Sequence, residues 1–164
     1  MTFHHIKNEE GLQDTHWYVD LKVSDTKTVK NMLIDTGASI STLGIKTVAR
    51  LYEQSEADII NYLKGSGVAD KLEKYTATND KIELYGIYIR NIKLGDTNLP
   101  VLKAYTRLDG YVSNLIGMDI LAACEMRLDY TKQGTADMDL SLYNPDVLGA
   151  AEIKISCLSI ISDL

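Results

Sequence analysis

The tightest constraint on how this chain folds is a carboxylate placed at the end of an apolar run. Met32, Leu33 and Ile34 are followed by Asp35, Thr36, Gly37, Ala38 and Ser39, and an apolar–polar alternation resumes through Ile40 and Leu43. A short apolar run bounded by turn residues reads as a buried strand, here one that ends on a functional residue. Burying a carboxylate is costly unless it is hydrogen-bonded, so an Asp in this place needs donors around it and a reason to be there. Gly37 supplies one reason, because a residue without a Cβ lets another backbone or a ligand come within contact distance of Asp35. The hydroxyls of Thr36, Ser39 and Ser41 are the nearby donors.

Around this stretch the apolar period changes in an ordered way. Trp17, Val19, Leu21 and Val23 alternate with polar neighbours as in a half-buried strand, residues 24–27 form a turn, and residues 28–34 return, so a hairpin aims Asp35. Ile45, Val48, Ala49, Leu51 and Tyr52 predict a helix over 45–54. Ser55 and Asp58 have the spacing of a capping box for a second helix, with Ile59, Ile60 and Leu63 on its inner face and its end at Gly65. Residues 82–94 and 99–105 read as strands around a turn at 95–98, with Leu84, Ile87, Ile89, Ile92 and Leu94 as core positions. A polar loop spans 107–113. Leu115, Ile116 and Gly117 then lead into a short helix, 118–124, whose Met118, Ile120 and Leu121 face inward. Residues 126–130 and 137–143 predict a closing hairpin, supported by the alternation of Met138, Leu140 and Leu142. The expected organisation is a loose polar arm (1–13), one domain (14–143) and a C-terminal extension (144–164) in which 152–161 fit a last strand.

The Ile34–Ser39 motif, followed about eighty residues later by Asn114, Leu115, Ile116, Gly117, Met118, Asp119, Ile120 and Leu121, resembles the retropepsin-like aspartic proteases. The resemblance spans about residues 15–143 and rests on both segments, in this order and with apolar flanks. It implies an all-β fold, a closed acid-protease-type barrel with short helical insertions and one lobe per chain. It also implies the site: Asp35 as the catalytic carboxylate, Thr36 bonding across a two-fold axis, and Gly37 presenting its carbonyl to substrate. Ala38, Ser39 and Ile40 fall at substrate-contacting positions, Ile116 joins the pocket walls with Leu99–Leu102, and Leu115 and Gly117 support the loop from behind. The family's flap falls between Gly65 and Thr78, which assigns Ser66, Gly67 and Val68 to substrate binding.

Hydrolysis of a peptide by this chemistry needs two carboxylates sharing one proton, and like charges so close cannot both ionise. The chain offers one Asp-Thr-Gly triplet in 164 residues, too few for two lobes. A homodimer is the remaining route, since a two-fold interface brings the same patch of both subunits together. Asp119 is expected to cap the helix that starts beside it, and Asp25, Asp80, Asp96 and Asp109 to occupy turns.

Composition narrows the partners. A net charge of −6 provides no basic field for nucleic acid or an anionic membrane, and the resemblance implies a peptide or protein substrate. The start of the chain lacks the apolar core of a secretion signal, and the C-terminal run from Val147 is interrupted by Glu152, Lys154 and Asp163, so the expected location is cytoplasmic. Cys124 and Cys157 read as reduced core thiols. They form no spaced cluster with His4, His5 or His16, so no metal or cofactor is expected. Two other readings stay open at this stage: a catalytically silent dimerisation or peptide-binding module, and a protease inhibited by its own segment 147–164.

Overall fold

The computed structural model describes residues 1–6, 15–65, 69–139 and 141–153. The hairpin that precedes Asp35 forms as its alternation requires, from β1 (Tyr18–Lys22) and β2 (Thr28–Ile34). Its register slips by one residue between Val19 and Leu21. The slip lies opposite Asn31, which takes a left-handed backbone at φ 58°, a conformation Asn adopts more readily than most residues. Asp20 Oδ1 accepts the Asn31 amide at 2.9 Å and His4 Nε2 lies 2.7 Å from Asn31 Oδ1. Because of this bulge Val29 and Met32, three residues apart, both reach the core.

The long strand β4 (Lys81–Leu94) organises the rest of the sheet. Along one edge it pairs with β5 (Thr97–Arg107), from Leu94↔Thr97 to Leu84↔Arg107. Its other edge is divided among β3 (Lys71–Tyr75) at the start, β1 at the end, and Ala151 between them. There the Ala151 amide donates to Gly86 O at 2.9 Å and the Tyr88 amide to Ala151 O at 3.2 Å. The short β6 (Leu115–Ile116) lies parallel to the end of β2, giving the order β3-β4-β1-β2-β6 with β5 on the far edge of β4.

Among the described residues this ladder does not close into the barrel that the resemblance implies. Two of its edge strands, β5 and β6, are linked instead by the segment 41–43. Leu43 N donates to Tyr105 O and Tyr105 N to Ser41 O, while Thr42 and Leu115 exchange both their amide bonds, all at 3.0 Å. One bridging residue is too short for a strand, yet it satisfies the backbone groups that an open edge would leave free.

Two helices, α1 (Ile45–Tyr52) and α2 (Glu56–Gly65), cover one side with the faces their periodicity predicts. Ser55 Oγ accepts the Asp58 amide at 3.1 Å and donates to its carboxylate at 2.7 Å, the cap expected between them. Helix α3 (Met118–Leu121) is a single turn, so Ile120 and Leu121 reach the core but Met118 stays exposed, against expectation. The closing hairpin is shorter than predicted: β7 (Cys124–Arg127) and β8 (Thr135–Met138) form a separate two-stranded sheet. Asp139 ends it, because its carboxylate takes the Ser141 amide (2.9 Å) and hydroxyl (2.6 Å) and bends the chain. Leu142 is consequently exposed, and Leu140 lies outside the described residues.

Residues 1–6 are not a loose arm. Met1 and Phe3 are buried, Phe3 N donates to Gly134 O at 2.8 Å, and His4 pairs with Tyr18. An alternation of two apolar residues is too short a period to stand out in a sequence. Among the described residues no helix is long and apolar enough to cross a membrane.

Candidate active site

Asp35 leaves the sheet where β2 and β6 run side by side. Its amide donates to Ile116 O at 3.0 Å, continuing the parallel pairing by one bond, and its carbonyl accepts the Ala38 amide at 3.2 Å to close a tight turn. Within that turn Gly37 N donates to Asp35 Oδ1 at 2.8 Å. The approach is so close that a Cβ on residue 37 would stand 3.1 Å from that oxygen. Asp35 is half-buried, while Thr36 and Gly37 are exposed, so the carboxylate sits at a surface with one oxygen fixed by the backbone. The hydroxyls expected to serve it do other work: Ser39 accepts from Lys74, and Ser41 donates to Asp119.

The clamp behind the turn is built from that Ser41–Asp119 pair. Ser41 N donates to Asp119 Oδ2 at 2.9 Å and Ser41 Oγ to Asp119 Oδ1 at 2.7 Å, while Ser41 Oγ accepts the buried Gly117 amide at 3.0 Å. Met118 N donates to Ala38 O at 2.8 Å. Gly117 is required sterically, since a Cβ there would meet Ile40 O at 2.5 Å, Ile40 C at 2.6 Å and Ala38 O at 2.9 Å. Desolvation raises the Asp119 carboxyl above the ordinary Asp value, opposed by the two Ser41 hydrogen bonds and by the amides of Ile120 and Asp119 itself. Asp119 is expected to cap its helix, but the side-chain hydrogen bonds it accepts come from Ser41. Its main partner lies 78 positions earlier, on the loop that carries Asp35.

In front of the turn an open cleft of about 340 Å³ has residues 37–40 as its floor. Its roof is the β3–β4 hairpin, which contributes Lys74, Ile82 and Leu84, and its side wall includes Val112 and Leu115. The hairpin falls later in the chain than the glycines suggest, with its turn at 76–80. Thr76 N donates to Asp80 O at 3.0 Å, Asn79 N to Thr76 O at 2.9 Å, and Asn79 rather than a glycine takes the left-handed conformation, at φ 65°. Two cavities of similar size, about 380 and 410 Å³, lie beside the start of α1 and beside Tyr52 and Glu152; neither touches the Asp35 turn.

No protein-family model matches the chain, and no curated protein matches it. Among solved structures, a retropepsin-like aspartic protease from Rickettsia conorii aligns with a TM-score of 0.52 at 20% identity, over 82% of this chain and 98% of that one. The fold is retropepsin-like.

Within the retropepsin-like fold the site residues read from the sequence separate into three groups. Gly37, Ala38, Ser39 and Ile40 line the cleft beside Asp35 and Thr36, and Gly117 packs behind them. Ile116 does not line the pocket: it is fully buried, paired with Ile34 beneath the turn, and Leu115 lines the cleft in its place. Leu99 and Leu102 are likewise core residues and not pocket walls. Ser66, Gly67 and Val68 lie outside the described residues. Sequence reasoning missed Lys74, Ile82 and Val112 as cleft residues. The legible signal for the first two is the alternation of Leu72, Lys74, Ile82 and Leu84 across a hairpin.

Proposed function

We propose that this chain is an aspartic endopeptidase that hydrolyses peptide bonds as a symmetric homodimer. One observation carries the proposal: an Asp carboxylate, aimed by a strand end and held through Oδ1 by the Gly37 amide, stands at an exposed turn whose following residues, 37–40, form the floor of an open cleft. A turn that leaves Thr36 and Gly37 exposed suits a surface that a second copy covers. In the dimer two Asp35 carboxylates share one proton across the axis. The ionised one takes a proton from the attacking water while the neutral one donates to the scissile carbonyl oxygen, and the roles reverse as the amine leaves. The Gly37 hydrogen bond fixes each carboxylate before substrate arrives, and Thr36 is assigned to the cross-axis contact. The peptide lies extended between the hairpin and the floor, so that its backbone supplies affinity and alternate side chains supply specificity.

The test is cleavage of a mixed peptide library between about pH 4 and 7, with and without pepstatin. A bell-shaped, inhibitor-sensitive rate is expected. Asp35→Asn should lower it by about 10³-fold or more while sedimentation still reports a dimer; undiminished cleavage by that variant overturns the mechanism. A silent binding module would show a dimer that binds peptides and cuts none. The described part of the C-terminal extension gives self-inhibition no support, because Ala151 sits on β4 and residues 144–153 contribute nothing to the cleft lining. Residues 154–164 lie outside the described residues.

A further inference from the structure

The roof of the cleft contains one residue that its pattern does not account for. Along β3 the residues alternate: Lys71, Glu73 and Tyr75 are exposed, and Leu72 and Lys74 are half-buried. Leu72 pairs with Leu84 and Lys74 with Ile82, so the inner row of the hairpin reads Leu72, Leu84, Ile82 and one lysine. A hairpin that only packed over an apolar floor would carry a fourth apolar side chain here. The lysines on the outer face have partners: Lys81 lies 2.7 Å from Glu73, and Lys71 stands over the Tyr85 ring at 5.4 Å. Lys74 has no carboxylate partner among the described residues. Its ammonium donates to Ser39 Oγ at 3.3 Å, across the mouth of the cleft, four positions after Asp35.

That pair is a ready receptor for a carboxylate. The ammonium has three donor hydrogens and Ser39 takes one; the Ser39 hydroxyl, which accepts from Lys74, keeps its own proton to give. Ile82, Leu84 and Leu115 line the cleft beside the pair, which itself stands exposed at the mouth, where a charged ammonium remains free to donate a charge-assisted hydrogen bond to an incoming carboxylate. We propose that Lys74 and Ser39 select peptides carrying an acidic side chain, Asp or Glu, close to the scissile bond. This rests on the endopeptidase reading above and names its substrate class. The apolar wall remains available to the neighbouring side chains, so the preferred segment pairs one acidic residue with apolar ones. The preference is local, because a chain of net charge −6 does not draw acidic peptides from a distance.

The experiment uses decapeptides of apolar sequence in which each central position in turn is Asp, Asn, Leu or Lys. Binding is measured by fluorescence anisotropy to the uncut trap Asp35→Asn, and cleavage is measured with the unsubstituted protein. At one position Asp should bind about tenfold tighter than Asn. Lys74→Arg should keep that preference, Lys74→Met should shrink it to within about twofold, and Lys74→Glu should invert it so that Lys becomes the preferred residue there. The inversion requires a folded cleft, so loss of structure cannot imitate it. Equal binding of Asp and Asn peptides at every position, binding of neither, or an acid preference that survives Lys74→Glu overturns the proposal. Acid-selective binding without cleavage leaves this inference standing and removes the endopeptidase reading. Cleavage without acid preference does the reverse.

Discussion

The floor and the roof of the cleft are held in opposite ways. The floor, residues 37–40, together with the Asp35 turn before it and Ser41 after it, is bonded from three directions: forward from β2, sideways to Ile116 O, and from behind through Ser41, Gly117, Met118 and Asp119. Its tethers are backbone amides and a carboxylate brought together over nearly eighty residues of chain. The roof is held by its own ladder from Lys71↔Tyr85 to Tyr75↔Lys81. Its turn is closed by side chains within it, with Thr76, Thr78 and Asp80 bonded at 2.6–3.1 Å. The roof meets the rest of the chain at its base, where Leu84 and Tyr85 pair with β5, Lys103 reaches Asp70 at 3.5 Å and the Asp70 amide donates to Gly149 O, and across the cleft at Ser39. The contrast follows from what each part does in the proposed reaction. A carboxylate that moves protons gains from being fixed before substrate arrives, whereas a cover over a peptide has to open.

Gly117→Ala attacks the floor hardest. The added methyl would meet two backbone carbonyl groups, which cannot rotate aside, so destabilisation of about 3 kcal/mol or more is expected in urea unfolding, together with loss of cleavage. A cost under about 1 kcal/mol would mean that the floor gives way easily, and the contrast with the roof would fail. Next in size is a matched pair of hydroxyl deletions. Ser41→Ala strips the buried Gly117 amide of its acceptor and Asp119 of one donor, an expected cost of about 2 kcal/mol. Thr76→Ala removes the acceptor of the Asp80 amide at an exposed turn, where water replaces it, and should cost about 0.5 kcal/mol or less. Equal costs at the two sites would erase the distinction between a clamped floor and a free-standing roof.

The same two regions show what can be read from residues alone. The hairpin that aims Asp35, helices α1 and α2, the Ser55 cap and the alternation of β4 are local patterns, and the structure has them where periodicity puts them. The partner of Asp119 is not local. Its carboxylate looks like a helix cap because the residues beside it begin a helix, and only the folded chain brings Ser41 to it. Ile116 misleads for a related reason: next to a motif glycine it suggests a pocket wall, but parallel pairing with Ile34 turns it into the core and leaves Leu115 at the cleft. The hairpin is displaced from its glycines because Asn79 takes the left-handed turn position that a glycine search expects Gly to fill. Among the described residues β5 and β6 are joined through Thr42 alone, a junction with no periodicity to detect.

The smallest expected effect is electrostatic and tests whether the clamp is dry. Desolvation raises the Asp119 carboxyl, and the two Ser41 hydrogen bonds hold it back. A raised acid binds its proton more tightly in the folded chain than in the unfolded one. Between the ordinary Asp value near 3.8 and the raised value, the contribution of Asp119 to stability therefore falls as pH rises. Carbon-detected NMR should find Asp119 titrating above that ordinary value. In Ser41→Ala one opposing hydrogen bond is gone, so the titration should move further up and the fall in stability should extend to higher pH. Asp119→Asn carries no titrating proton at this position, and the pH dependence of its stability relative to the unsubstituted protein should tilt upward with pH across the same window. An Asp119 that titrates at or below the ordinary value would mean that water reaches the carboxylate. The Ser41 bonds would then be surface contacts, and the floor would rest on its backbone bonds to Ile116 and Met118.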